Sequence, residues 1–306
     1  MSIETNEEQI SDRPLMAMIK NEAPAHTYII EQIENITHRN LICYIANLQH
    51  PASSMHPQDD NYIEIVLRSS DLSKYDNKID FMLSSPGGTG EAAEKICKTL
   101  KAYASNLRVI VPKFAMSAAT ILTMGADSLA MGETAELGPI DPQMIVNNGQ
   151  QMIPAHQVVN AYHRLLDDLN LTSPNSAKIA GLINQLNQID PILVQSSIQA
   201  RETAEKVSRE LLKEGLLKGK NEELIENAVR PFLEHGEQFT HGRGIRIEKL
   251  IEWGFEVEKL DKYSMLWNLI WELFWRCEVH IHNNKFAKYI TNRQHGVQLS
   301  VIREKM

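Results

Sequence analysis

The stretch Phe81-Met82-Leu83-Ser84-Ser85-Pro86-Gly87-Gly88 restricts the fold more than any other part of the chain. A short apolar run ends in Ser-Ser-Pro-Gly-Gly. A segment of helical periodicity follows at once, Glu91 to Tyr103, with Ala92, Ile96 and Leu100 on one face. Glycine marks a strand end where the backbone turns sharply or something approaches it closely. The unit therefore reads as a strand, a tight corner and the crossover helix of a right-handed βαβ unit. A Pro-Gly-Gly corner at the C-terminal edge of a strand also leaves backbone N–H groups able to meet an oxyanion or a phosphate. An ordinary strand-to-helix turn is the plainer alternative, and this motif alone does not separate the two.

Two further stretches repeat the pattern. Val109-Ile110-Val111-Pro112 reads as a buried strand and runs into Lys113-Phe114-Ala115-Met116-Ser117-Ala118-Ala119-Thr120-Ile121-Leu122, whose small and apolar residues suit a buried helix. Ser117 stands where that helix begins. It is placed either to cap the helix or to act as a nucleophile. Ser128 to Met131 reads as the next strand, followed by the turn Glu136-Leu137-Gly138-Pro139-Ile140-Asp141-Pro142-Gln143. Leu41 to Ile45 is a further strand by its β-branched content, preceded by a helix over Tyr28 to Thr37. A second helix is expected over Asn61 to Leu72. Alternating strands and helices predict an α/β fold with a mostly parallel sheet covered on both faces.

The order Ser-Pro-Gly-Gly, then Ser-Ala-Ala opening a buried helix, then Gly-Pro-Ile-Asp-Pro-Gln resembles the Clp-protease/crotonase superfamily. Within it the wording is most similar to the serine dehydrogenase proteinase family, related to signal peptide peptidase A. The resemblance is close from Asn40 to Gln143 and continues more weakly to Leu260. It includes His241-Gly242 and the strand-like Phe255-Glu256-Val257. It implies the repeated ββα superfold of that superfamily with added helices. It also implies a serine peptidase acting on protein or peptide substrate, ATP-independent or partner-assisted, without a cofactor, in a homo-oligomer that hides the site. On this resemblance Ser117 is the nucleophile, and the N–H groups of Gly87 or Gly88 and of Ala118 hold the oxyanion.

The general base is open at this level. The Clp protease carries its histidine in the window that holds Gly138 to Pro142 here, and this chain has none there. Signal peptide peptidases use a lysine instead; Lys178 is the first lysine after Ser117. To serve, its ammonium would need burial that removes its proton near neutral pH. His156 and His163 lie in a suitable range, and Asp141 could orient a base or cap the turn before Pro142. Two rival readings share the same scaffold: a crotonase-type enzyme binding an acyl-coenzyme A thioester, and a catalytically silent oligomeric scaffold.

Composition sets the outer limits. The chain has 306 residues with 43% hydrophobic and 23% charged content, ordinary for a globular protein with a sizeable core. A net charge of −8 argues against broad nucleic-acid binding, which needs a basic footprint. Cys43, Cys97 and Cys277 read as buried free thiols in a reducing compartment, and the polar, acidic start shows no signal-peptide pattern. Cytoplasm is the expected location, with no integral membrane segment.

Residues 1–24 read as a flexible arm, 25–260 as the peptidase domain and 261–306 as a helical C-terminal extension. From Ile153 the pattern turns helical, through Val158, Leu165, Lys178, Leu182, Val194 and Val207 to Leu217. Helices also cover Glu222 to Leu233 and open the segment 246–260. The stretch Leu266 to Trp275 carries Trp267, Trp271 and Trp275, and it reads as packing or a subunit contact rather than membrane contact. Residues after 283 read as a loosely packed polar tail. His280 and His282 beside Cys277 lack a fourth ligand at a standard metal-site spacing.

Overall fold

A computed structural model describes residues 26–146, 151–173, 177–238 and 244–299. The arm 1–24 and the His241-Gly242 turn lie outside these residues.

The chain forms a mixed α/β structure around a 7-stranded sheet in the order β10-β5-β3-β2-β1-β11-β12. Five strands, β1 (Asn40–Ala46), β2 (Lys78–Ser84), β3 (Asn106–Val111), β5 (Ser128–Gly132) and β10 (Val257–Leu260), run parallel. Their residues are buried toward both faces, which is why these strands read as continuous apolar runs rather than as an alternation. Parity sorts them. Ile42, Tyr44, Phe81, Leu83, Val109 and Val111 belong to one core cluster, while Leu41, Cys43, Ile45, Met82 and Ile110 belong to the other.

The first cluster lies under α2 (Asp59–Arg68), α3 (Gly90–Tyr103), α4 (Ala118–Met124) and the far half of the long helix α7 (Pro191–Glu214). Thr89 caps α3, its side chain accepting from the Ala92 N–H. The second cluster lies under α1 (His26–Thr37) and the tryptophan-bearing α10 (Met265–Asn284), which pack on each other. Trp267 and Trp271 stack with ring centroids 5.6 Å apart. At the N-terminal ends of the strands the fully buried Asp80 is held by Arg39 and Arg108, and Arg108 reaches on to Glu258. That network ties β2, β3 and β10 together at the end of the sheet away from the Gly87 corner.

The structure departs from the sequence reading in three places. The expected loose tail after residue 283 instead returns to the sheet. β11 (Lys288–Thr291) pairs antiparallel with β1 and is buried throughout, and β12 (Gly296–Leu299) pairs with β11. Four residues of mixed polarity are too short to show a period, and Lys288 disguises the strand by being a buried cation. A hairpin, β7 (Gln143–Val146) with β8 (Gln151–Pro154), precedes the helix expected from Ile153, which opens at Ala155 as α5 (Ala155–Leu171). Finally, α8 (Glu222–Gln238) runs past the expected end at Leu233, despite Pro231 inside it.

Three more short strands form a second sheet. β4 (Phe114–Ala115) and β6 (Glu136–Leu137) pair in parallel, and β6 also pairs with β9 (Ile245–Arg246). β9 leads into α9 (Ile247–Glu252), with Gly254 at positive φ beyond it. α6 (Lys178–Leu186) joins α5 to α7. Among the described residues no helix is long and apolar enough to cross a membrane.

Candidate active site

The three sequence motifs, two of them glycine-bearing, meet at Ser117. The extension of β2 pairs with β4 through Ser85 and Ala115, and the Met116 N–H donates to the Ser85 carbonyl at 3.0 Å. This pairing brings the Pro86-Gly87-Gly88 corner against the β4–α4 turn. Ser117 is the residue of that turn, with φ 51° and ψ −121°, a conformation that L residues rarely adopt. A strained serine on a sharp strand-to-helix turn presents its hydroxyl away from the backbone, which is the geometry of a nucleophile elbow.

Gly87 is required on one side. It has φ +93°, and a Cβ there would come within 2.3 Å of the Met116 carbonyl oxygen and 2.9 Å of the Ala118 nitrogen. Gly138 is required on the other, where a Cβ would lie 3.0 Å from the Ser117 nitrogen and 2.9 Å from the Met116 Cα. Thr120 locks the second side: the Gly138 N–H donates to Thr120 Oγ1 at 2.9 Å, and that hydroxyl lies 2.7 Å from the Ala115 carbonyl oxygen. The Gly87 N–H donates to Ser85 Oγ at 3.1 Å. The N–H groups of Gly88 and Ala118 bond to no other group among the described residues.

Ser117, Ala118, Gly87 and Gly88 line one cavity of about 680 Å³. Its wall also includes the loop Ser53–His56, Glu91 at the start of α3, Ile121, Ile140 and Pro142, Ile145 and Met152 on the hairpin, and Ala200 and Ala204 on α7. The interior is mostly apolar with few polar groups, as small-molecule and peptide sites are. His56 is the cavity residue that sequence reasoning missed. It sits in a loop with a proline at each end, a context that gives no chemical signal. Its Nδ1 accepts from the Gln58 N–H at 3.2 Å, so the neutral ring carries its proton on Nε2.

The three base candidates are placed very differently. Lys178 opens α6 on the exposed surface and is not part of the cavity wall. His163 is exposed on α5 against the edge of Tyr162. His156 is buried at the start of α5, with Nδ1 2.7 Å from Asp141 Oδ2. Asp141 is fully buried between Ile140 and Pro142, both of which line the cavity. Arg201 on α7 lies 3.8 Å from Asp141 Oδ1 and follows the wall residue Ala200. A carboxylate at Nδ1 fixes the proton there, which leaves Nε2 as the basic nitrogen of the neutral ring. The signal in the sequence was Asp141 itself, a carboxylate in an apolar turn.

The three cysteines are free and buried. Burial pushes the Cys97 thiol up to about 12 and raises those of Cys43 and Cys277 well above their ordinary value, so these sulfurs are apolar filling rather than nucleophiles. Near Cys277, His280 packs between the rings of Phe286 and Tyr289, and His282 faces Glu278 at 3.4 Å. Among the described residues no three His, Cys, Asp or Glu side chains cluster as a metal site.

The fold is thus an α/β layered one, with a strained serine elbow between two glycine corners at the C-terminal edge of its parallel strands. Residues 55–295 match the ClpP-like SDH-type serine proteinase family, and the chain belongs to that family. Two curated relatives, both uncharacterized proteins of Methanocaldococcus jannaschii, are similar to it. One is 33% identical over 199 residues, covering 64% of this chain and 58% of the relative. The other is 30% identical over 194 residues, covering 63% of this chain and 56% of the relative. The chain thus spans a little over half the length of these relatives. Among solved structures, two forms of the 1510-N membrane-bound stomatin-specific protease are similar. A serine-to-alanine form has a TM-score of 0.40 at 15% identity, covering 68% of this chain and 76% of that one. A lysine-to-alanine form with a substrate peptide has a TM-score of 0.39 at 17% identity, covering 68% and 72%.

Proposed function

We propose that the chain is a serine peptidase in which Ser117 Oγ attacks the carbonyl carbon of a peptide bond. The observation that carries this reading is the elbow. A serine in a costly backbone conformation is wedged between two glycines and opens into a cavity beside two unengaged N–H groups. Strain of this kind persists where the surrounding structure over-determines it, and it clusters at active sites.

In this reading the Gly88 and Ala118 N–H groups hold the tetrahedral oxyanion, while Gly87 makes the turn that points them. Hydrogen-bond donors set in advance at the developing charge are usually the largest single contribution to such catalysis. His156 Nε2 takes the serine proton and returns it to the leaving amine. Asp141 accepts from Nδ1 and stabilises the imidazolium that forms. Water then enters, gives its proton to the same nitrogen and releases the acyl group from Ser117. His156 is preferred over Lys178 because its ring meets the buried carboxylate of Asp141, whose chain neighbours Ile140 and Pro142 line the cavity, whereas Lys178 lies on the exposed surface and is not part of that wall.

A homo-oligomer belongs to the same proposal. Ile145 and Met152, 67% and 63% exposed, are cross-strand partners on the hairpin at the cavity, and a neighbouring copy would cover them. The cytoplasmic location inferred from the sequence stays with it as a proposal.

The test is a fluorophosphonate probe on the purified full chain, with mass spectrometry of the modified peptide. Label on Ser117 is expected, absent in Ser117→Ala. His156→Ala should slow labelling by about four to six orders of magnitude, and Lys178→Ala should leave it near the parent rate. Absence of label from folded protein would sink the peptidase reading. Acyl-coenzyme A binding in that case would move the site to thioester chemistry.

A further inference from the structure

We infer that Lys288, on a strand formed far from the site in sequence, is a positioning residue for the Ser117 cavity, acting through Asp59 on the loop Ser53–His56. The inference rests on the serine-site reading above and extends it to a part of the chain that reading does not use.

The contacts run in one direction from β11 to the oxyanion corner. Lys288 Nζ donates to both carboxylate oxygens of Asp59, at 2.9 and 2.7 Å. Both side chains are almost fully buried, 5% and 3% exposed. The same Asp59 Oδ2 accepts from the Tyr44 hydroxyl at 2.7 Å and from the His56 N–H at 2.9 Å. One residue earlier, the Met55 N–H donates to the Gly87 carbonyl at 2.6 Å. The strap then runs beside Gly88 so closely that a Cβ there would lie 2.1 Å from the Met55 carbonyl oxygen. Lys288, Asp59, His56, Met55 and Gly88 thus form a continuous series, ending at an N–H assigned above to the oxyanion.

A buried carboxylate that collects one cation, one hydroxyl and one amide is an arrangement with little slack. The ion pair contributes little to net stability, since desolvation of both charges offsets most of their attraction. Its consequence is geometric. The cation pairs with both oxygens of Asp59 and holds the carboxylate with Oδ2 aimed at the His56 N–H. Without that cation the buried carboxylate loses its partner, which is costly, and it is free to rotate away from the His56 N–H. The strap, and with it the Gly88 corner, then loses its rear support. A misplacement of about 1 Å at a reacting centre can cost roughly a hundredfold in rate.

The full chain would be compared with Lys288→Met, Lys288→Arg and the charge-neutral pair Lys288→Met/Asp59→Asn. The first readout is fluorophosphonate labelling, resolved into a saturation constant and a limiting rate. The second is hydrogen exchange at the Met55 and His56 amides. We expect Lys288→Met to lower the limiting rate by roughly ten- to hundredfold with little change in saturation. Met55 and His56 should lose protection, and Lys288→Arg should recover most of both. If Lys288→Met fails to fold, the neutral pair removes the orphaned charge and is read in its place. Parent rate and parent amide protection in either folded variant would overturn the inference. If the parent protein itself does not label, the peptidase reading fails alone, and the exchange at Met55 and His56 still decides whether Lys288 holds the strap.

Discussion

Toward one face of the sheet Tyr44, Phe81, Leu83, Val109 and Val111 point under α2, α3, α4 and α7. Toward the other, Leu41, Cys43, Ile45, Met82 and Ile110 point under α1 and α10. The same strands supply both sets, one residue apart. The first face ends, at the C-terminal edge of the strands, in Gly87, Gly88, Ser117 and Gly138, where the backbone itself forms the working surface. The second is closed by Leu269, Ile270, Leu273 and the tryptophans of α10, and it carries none of the residues assigned to the serine site. In a parallel sheet buried on both sides the strands do not distinguish front from back. What distinguishes them is where side chains are left out, since a glycine corner is the way to bring backbone N–H groups up to a ligand.

Two substitutions separate the faces at similar cost to folding. Leu273→Ala removes a fully buried rear side chain and should lower stability by about 2–5 kcal/mol in denaturant titration. Ser117 labelling of the folded fraction should be unaffected. Gly87→Ala should cost about 2–4 kcal/mol through its positive φ and its clash with the Met116 carbonyl, and it should also abolish labelling. Equal labelling in the two would mean that the front corner is merely structural.

A smaller effect tests the sealing of the rear helix. Burial pushes the Glu278 carboxyl up to about 7 from an ordinary value of 4.5, and its side chain is 13% exposed. The folded state therefore binds this proton more tightly than the unfolded one. The sign follows: stability is greatest below the unfolded value and falls as pH rises through the window from about 4.5 to 7. The loss should be on the order of 1–3 kcal/mol. Glu278→Gln should flatten that slope in thermal melts from pH 4.5 to 7.5. An unchanged slope would show that the position is wetter than its burial implies.

The smallest expected change is at the elbow. Ser117→Gly removes both hydroxyl and strain, so it should lose labelling while raising stability by about 1 kcal/mol. A fall in stability instead would mean that the positive φ at Ser117 costs the fold little.

Much of the front face could be read from the chain. Phe81 to Gly88, Ser117 to Leu122 and Gly138 to Asp141 each announce a strand end or a helix start through local chemistry, and the structure places all three at one point. The base could not be read in this way. Lys178, His156 and His163 have similar claims by spacing, and the proposal for His156 rests on its contact with the buried Asp141, which only the folded chain shows. His56 and Lys288 were invisible for a related reason: a histidine in a proline-bounded loop gives no chemical signal until the fold sets it at the cavity rim, and a lysine in a polar tail looks solvated until tertiary packing encloses it.

The sequence by itself determined the alternation of strand and helix, the two-sided burial of the parallel strands and the three corners. Apolar periodicity and glycine are local properties that residues a few positions apart fully express. Only the tertiary structure decided which carboxylate meets which histidine. It also decided that β11 pairs with β1, and that a cation more than two hundred positions away from Asp59 is buried against it. Those outcomes depend on loop closure and on the energy of enclosing charged groups together. Both are properties of the packed chain and leave no period in the sequence.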